Sequence, residues 1–414
     1  MTIGGRSGSA GDMPDPRRHA MALRAFLCQN VAIGSTFGSF GVAVLTLQQR
    51  FGVGRGMASL GIALAVLMMG VGSPIAARMI GRIGLRATML IGIVLSGSGN
   101  LALAFAPGFG VVLLAYALPI GLGLAMFGPF PSSVLAARWF QPKPGPAIGF
   151  VNMPVLVALV PLGVGPLLHS FGLTGVYVAL AGLHALLLPF AWGIVDAPMG
   201  LVLPASSVKS APDAGPVLSR PLFWFIAIGS GVLHAAGITV SSHIVALGIE
   251  AGLGAGSAAM LLSVMGTASI AGAFGAGLLC ARIGAPMTLA LIAATNALAW
   301  LALLSLHDFA LMAPLIALLG AGGAGVFPSV NVLVGEQFGL AAAVRVVGLL
   351  GLATLPFNFG LPPLAGVLHD RTGGYAAVGV AIAVACGTIT LLFLAMARWP
   401  ARRDAPPRAF LRSL

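Results

Sequence analysis

Charge is what this chain has least of. Only 7% of its 414 residues are Asp, Glu, Lys or Arg, against about 25% in a soluble globular chain, which excludes a soluble enzyme. Acidic residues are scarcer still, 9 against 21 Lys and Arg. The resulting net charge of +12 does not make a nucleic-acid binder, because such proteins gather their basic residues on a solvated polar face and this sequence has no such face. Cysteine is limited to Cys28, Cys280 and Cys386, an odd number set in apolar runs. That gives neither a disulfide framework nor a clustered metal-ligand spacing, so the three read as small core residues. No Walker-type phosphate loop occurs, and no polar loop holds a Ser/His/Asp, zinc-ligand or thiol constellation. ATP-driven pumping and enzymatic chemistry therefore drop out together, and neither a cofactor nor a metal is expected.

What remains is apolar. Hydrophobic residues make up 58% of the chain, and a bilayer core takes about 20 of them per helix, so the class is an all-α membrane protein. Punctuation by Gly, Pro and charge places twelve spans at 22-47, 57-80, 87-106, 110-135, 147-169, 174-195, 221-247, 256-280, 286-306, 309-334, 345-368 and 376-397. Residues 1-20 are Gly/Ser/Pro-rich, lack the apolar core of a cleavable signal peptide, and read as a cytoplasmic tail. A polar stretch carrying Pro198, Pro204, Pro212 and Pro216 separates six spans from six. The expected organisation is therefore a tail (1-20), a six-helix bundle (21-195), a cytoplasmic central loop (196-220), a second six-helix bundle (221-397) and a basic tail (398-414).

Cytoplasmic loops retain the excess of Lys and Arg. With the N-terminus inside, all of these residues but Arg50, Arg55 and Arg371 fall on the cytoplasmic side, so both termini are expected there, in a cell inner membrane. An internal repeat adds the architecture. Arg82-Ile83-Gly84 recurs as Arg282-Ile283-Gly284, Phe130-Pro131-Ser132 as Phe327-Pro328-Ser329, Leu168-His169 as Leu368-His369, and Gly175-Val176-Tyr177 approximately as Gly373-Gly374-Tyr375. All the offsets lie between 197 and 200, which points to duplication of a six-span unit. Two parallel repeats keep their site between the halves near the midplane and rock about it.

Several segments carry a family resemblance. Gly72 through Arg86 resembles the signature G-x-x-x-D-R-x-G-R-R of the major facilitator superfamily, with Arg82, Gly84 and Arg86 in place and Gly81 at the acidic position. Within that superfamily, Arg138-Trp139-Phe140 followed by Lys143-Pro144-Gly145 and Ala147-Ile148-Gly149 is similar to a motif of the monocarboxylate and oxalate/formate transporter group. So are His243-Ile244-Val245, Glu336-Gln337-Phe338-Gly339 and Asp370-Arg371-Thr372-Gly373-Gly374-Tyr375. The resemblance implies twelve transmembrane helices in two pseudo-symmetric bundles and transport of a small organic solute by alternating access. In that group, basic residues inside the spans often face the substrate carboxylate; here the middles of all twelve spans carry no Lys, Arg, Asp or Glu. Uncharged polar groups and histidine are left as site chemistry.

At about 1.5 Å per residue, Asn30 and Ser35 (first span), Asn152 (fifth), His234 (seventh), Thr267 (eighth) and Asn358 (eleventh) fall near mid-depth and are candidates for substrate contact; the alternative is interhelical hydrogen bonding. His234 and His243 are the proton-coupling candidates, since imidazole titrates between pH 5 and 8. Nine residues apart, they face opposite ways unless the seventh span bends near Gly237, Ser241 and Ser242. His184 reads as structural, and His169 and His369 as helix-end groups. Prolines in the fourth, fifth and eleventh spans are expected to bend or end those helices. Arg82, Arg86, Arg282 and Glu336 are candidate gate residues at the cytoplasmic loops, with an Arg282 to Glu336 contact closing the inner side. The leading reading is a proton-coupled secondary transporter of a monocarboxylate or related organic anion, monomeric, whose partners are a small-molecule substrate, protons and the lipid bilayer. Proton-antiport efflux of a neutral or hydrophobic compound is the alternative, and a transport-inactive sensor or scaffold the second.

Overall fold

The computed structural model describes residues 15–197 and 217–398; most of the expected tails and central loop lies outside the described residues. Among the described residues, eleven helices are long and apolar enough to cross a membrane. One of them, Gly145–Trp192, turns back at Gly172, where φ is 62° and ψ −169°, so the chain makes twelve crossings. Positive φ costs a Cβ-bearing residue dearly, and glycine at this point lets the chain reverse with no loop. The crossings are α1 Arg18–Phe51, α2 Met57–Ile83, α3 Leu85–Ala104, α4 Phe109–Trp139, α5 145–171, α6 173–192, α7 Pro221–Glu250, α8 Gly256–Ile283, α9 Ala285–Leu303, α10 Phe309–Leu340, α11 Ala342–Thr372 and α12 Tyr375–Arg398. They agree with the expected spans, with several ends a few residues longer.

The duplication is visible in detail. At Gly84 and Gly284 the backbone takes nearly the same conformation (φ 85° and ψ 167°; φ 86° and ψ 156°), turning α2 into α3 and α8 into α9. Thr88 and Thr288 each donate back to those glycines' carbonyls, at 2.7 and 2.9 Å. The exposed first amides of α3 and α9 need acceptors, and each half supplies a carboxylate from a different place. Asp196, past the end of α6, accepts from Leu85 N at 2.6 Å and Arg86 N at 3.1 Å. Glu336, near the end of α10, accepts from the Ala285 amide. Asp196→Ala is expected to destabilise the purified protein by about 1–2 kcal/mol, the usual worth of a lost cap plus a weak ion pair; thermal unfolding in detergent reads it, and Asp196→Asn, which keeps acceptors, should lose less.

Three proline sites break helices outright. α4 interrupts at Gly128 before Pro129, α5 at Met153–Pro154 before Val155, and α11 at Thr354 before Leu355-Pro356. Pro161 and Pro166 sit inside continuous helix, where the preceding turn absorbs the missing amide. Two π-turns interrupt α1 at Gly34–Gly38 and α4 at Tyr116–Gly121; the second contains Pro119, whereas the first has no proline to announce it. No break opens in α7 near Gly237, Ser241 and Ser242: it runs as continuous helix from Pro221 to Glu250.

The two six-helix halves meet tightly at one end only. There α5 lies on α8 and α2 on α11 with almost no side chain between them. A Cβ on Gly149 would fall 2.7 Å from the Ala273 carbonyl, and one on Gly145 2.6 Å from that of Gly277. A Cβ on Gly348 would fall 3.0 Å from the Ser73 carbonyl, and Leu355 fills the notch at Gly70. This end is the arginine-rich face, where α2 and α8 finish at Arg82 and Arg282. Along the same helix faces toward the other end the halves part. Gly266 lies 11 residues before Gly277, about 20° around α8, and Gly163 lies on α5 beyond its break at Pro154; neither has a neighbour within 4 Å of a built Cβ. Leu162 beside the first is 72% exposed. A cleft therefore runs between the halves, sealed at the arginine-rich face and open at the other.

Candidate functional site

Three of the candidate residues, His234, Thr267 and Asn358, lie on helices of the C-terminal half. His234 on α7 engages the Ser230 carbonyl through Nδ1 at 3.2 Å. A carbonyl only accepts, so Nδ1 carries the proton and Nε2 keeps a lone pair. Its ring is 6.3 Å from that of Phe327 on α10. One turn before it on α7, Gly231 receives Phe357 of α11, and the next residue, Asn358, has its Oδ1 buried without a partner. A buried polar atom left unpaired costs free energy, and this one waits for a donor. Thr267 on α8 is exposed and bonded only to the Ser263 carbonyl, at 2.9 Å. It lies seven residues before Phe274, hence on nearly the same helix face, and the Phe274 carbonyl meets Gly149 at the seal. His234, Thr267 and Asn358 thus come from the three helices α7, α8 and α11 that bound the cleft.

The N-terminal candidates are used otherwise. Asn30, 1% exposed, gives its amide hydrogens to the Phe26 and Met153 carbonyls at 3.1 and 3.0 Å and accepts from Leu156 N at 2.9 Å. It closes the backbone gap that Pro154 opens in α5. Asn152 donates to Ser133 Oγ and to the Ile148 carbonyl, both at 2.8 Å, tying α5 to α4. Ser35 lies buried inside the π-turn of α1, where its carbonyl accepts from Ser39 Oγ at 2.5 Å. In this conformation Asn30 and Asn152 hold helices together and Ser35 bonds within α1, where Gly34 packs on Leu156 of α5 and Gly38 on the Val157 carbonyl.

His243 has both ring nitrogens committed, Nε2 to the Pro362 carbonyl at 3.2 Å and Nδ1 to the Tyr375 hydroxyl at 3.0 Å. The carbonyl fixes Nε2 as the donor, so Nδ1 accepts from the tyrosine. His243 joins α7, α11 and α12. At the same end His369 lies 3.0 Å from Glu250 and 3.2 Å from Asp370, while its repeat mate His169 is exposed. His184 is buried against Phe127, as its structural reading expects.

The gate candidates divide. Arg82 and Arg282 end their helices exposed, and Arg86 lays its guanidinium 6.0 Å over the Trp192 ring. No ion pair joins Arg282 to Glu336 among the described residues; Glu336 turns to the start of α9 instead, because the Ala285 amide needs an acceptor there. The sequence reading missed Arg138 as a site residue. Trp139 donates to the Val195 carbonyl at 2.8 Å, which brings Asp196 to 3.9 Å from Arg138. Arg138 from one half and Glu336 from the other then line a single cavity of about 230 Å³ at the arginine-rich face, with Ser133, Gln141, Asn331 and Pro144 among its walls. The signal was present in the sequence, since both residues sit in the family-like segments.

Known proteins share this fold. The chain overlays on a variant of the E. coli fucose:proton symporter FucP with a TM-score of 0.69 at 14% identity, over 91% of this chain and 98% of that one. It overlays on the proton:xylose symporter XylE, bound to 6-bromo-6-deoxy-D-glucose, with a TM-score of 0.66 at 14% identity over 93% and 95%. A second FucP structure, in the outward conformation, gives 0.68 at 14% identity over 90% and 98%. By sequence it is 25% identical over 375 residues to Monocarboxylate transporter 11 of Mus musculus, 86% of this chain and 82% of that protein. The family model of the Major Facilitator Superfamily matches residues 25–355. Twelve crossings in two repeated halves around a one-ended cleft, and a family match over most of that length, make this chain a multi-pass membrane transporter belonging to the Major Facilitator Superfamily.

Proposed function

We propose that the protein is a secondary active transporter that carries a small monocarboxylate or related organic anion by proton-coupled alternating access. The carrying observation is the cleft between the repeated halves, sealed at one face by bare helix contact and open at the other, which is one half of a rocking cycle. The sequence relation to a monocarboxylate transporter supports the substrate class. The Lys and Arg distribution supports a cytoplasmic arginine-rich face, which makes the conformation outward-facing. His234 and Asn358 are the proposed solute contacts: one offers a lone pair, the other an unpaired carbonyl oxygen.

A second reading, proton-antiport efflux of a neutral amphiphile, is favoured by one observation, that the groups the cleft presents at mid-depth are uncharged. Proteoliposomes of the purified protein separate the two. Proton flux on adding mono- and dicarboxylates, absent with neutral amphiphiles, is the expected result; flux with the neutral panel alone would replace the anion reading with the efflux one.

A further inference from the structure

The cavity at the arginine-rich face holds an arrangement that the solute path does not explain. Arg138 is mostly buried, its side chain 14% exposed, and its ion pair with Asp196 is a single long contact of 3.9 Å, which leaves guanidinium donors unused. Ser133 accepts from Asn152 at 2.8 Å, and its own O–H has no protein acceptor among the described residues. The two amides on the walls each have one hydrogen engaged and one left: Gln141 donates to the Ala137 carbonyl at 2.6 Å and Asn331 to that of Phe327 at 2.8 Å. Glu336 shares the cavity. It receives one hydrogen bond, from the Ala285 amide, and has the Cys280 thiol close by on α8. Arg345, two residues from the lining residue Ala343, makes a contact of its own. The cavity therefore offers an anion Arg138, the Ser133 hydroxyl and one remaining N–H each of Gln141 and Asn331, against the repulsion of Glu336 and of Asp196 beside Arg138.

We infer that this cavity is a carboxylate subsite in which Arg138 and the Ser133 hydroxyl hold a small monocarboxylate, and that Glu336 must take up a proton for the anion to stay. The inference rests on the proposed organic-anion reading and deepens it. Two carboxylates in one small cavity cannot both remain ionised cheaply. Binding of the anion therefore takes one proton onto Glu336, and release of the anion on this face returns it. The cargo that crosses is a neutral pair, one anion and one proton. Arg138 comes from the N-terminal half and Glu336 from the C-terminal half, so rocking of the halves changes their separation and with it the hold on both.

Purified full-length protein in weak buffer with a pH indicator tests this directly, with pyruvate as the probe. Wild type is expected to take up about one proton per protein as pyruvate saturates. Glu336→Gln keeps an acceptor for the Ala285 amide and removes the titrating group, so its proton uptake should vanish while its melting temperature holds. Arg138→Gln should raise half-saturating pyruvate about tenfold or more, as expected for a lost charge-assisted contact, and Ser133→Ala by less. In proteoliposomes Glu336→Gln should exchange pyruvate without pH dependence and fail to accumulate it down a pH gradient. Proton uptake by Glu336→Gln equal to wild type, or unchanged affinity in Arg138→Gln, would overturn the subsite. Coupled transport by wild type and variants alike would overturn it and leave the transport reading standing. Pyruvate-linked proton uptake without transport would do the reverse, and wild type that does not bind pyruvate removes the subsite.

Discussion

Gly149→Val is expected to abolish the sealed conformation and reduce transport by more than tenfold. A Cβ at Gly149 meets the Ala273 carbonyl at 2.7 Å, that of Phe274 at 3.0 Å and Gly277 Cα at 3.1 Å. All three are backbone atoms of one helix, so no side-chain rotation relieves the clash, and α5 must stand off from α8. Overpacking of this kind costs about 1–3 kcal/mol, and each 1.4 kcal/mol moves a two-state equilibrium about tenfold. Spin labels at Leu162 and Gly266, across the open end, measure the outcome. The distance distribution should shift toward the closed cleft in the variant, and Gly277→Val should behave alike, because the same contact is blocked from the other side. A wild-type distribution with wild-type transport would show that the seal is not part of the cycle.

Asn30→Leu is expected to lose about 1–3 kcal/mol of stability. The substitution keeps volume, removes the acceptor of Leu156 N at the break in α5, and leaves the Met153 carbonyl with Val155 N as its donor. An orphaned backbone group costs about 1–3 kcal/mol, and in lipid no water replaces the lost partner. Thermal unfolding in detergent should show a clear fall in midpoint, with substrate affinity preserved in the protein that remains folded. Asn30→Asp, which keeps the acceptor for Leu156 N but loses both donors, should fall between. A stable Asn30→Leu chain with lost solute binding would instead make Asn30 a cleft residue.

Depth was legible in the sequence, and rotation was not. Apolar runs and their punctuation place the twelve crossings within a few residues, and the 200-residue offset places Gly84 opposite Gly284. Hydropathy carries no azimuth, however, when a helix is apolar on every side. Asn30 and Asn358 lie at similar depth, yet the first closes a gap in α5 and the second has an unpaired oxygen. The partners of His243, Pro362 and Tyr375, lie 119 and 132 residues away and leave no local trace. The π-turn in α1 has no proline to mark it, and arises where Gly34 and Gly38 meet α5. Arg138 looked like one more positive charge on the cytoplasmic side, because nothing local says that Trp139 reaches Val195 and draws Asp196 alongside.

The seal at the arginine-rich face is made of glycine, alanine and serine backbone in contact, whereas the ion pairs at Arg138 and His369 each stay within one half. Backbone-on-backbone contacts carry no net charge for salt to screen, so ionic strength should act little on this part of the closure. It answers instead to how closely the helices are pressed together. Contact forces between helices fall away within an ångström of separation, so the lateral packing and thickness of the surrounding lipid become the quantities that set how long this face stays shut.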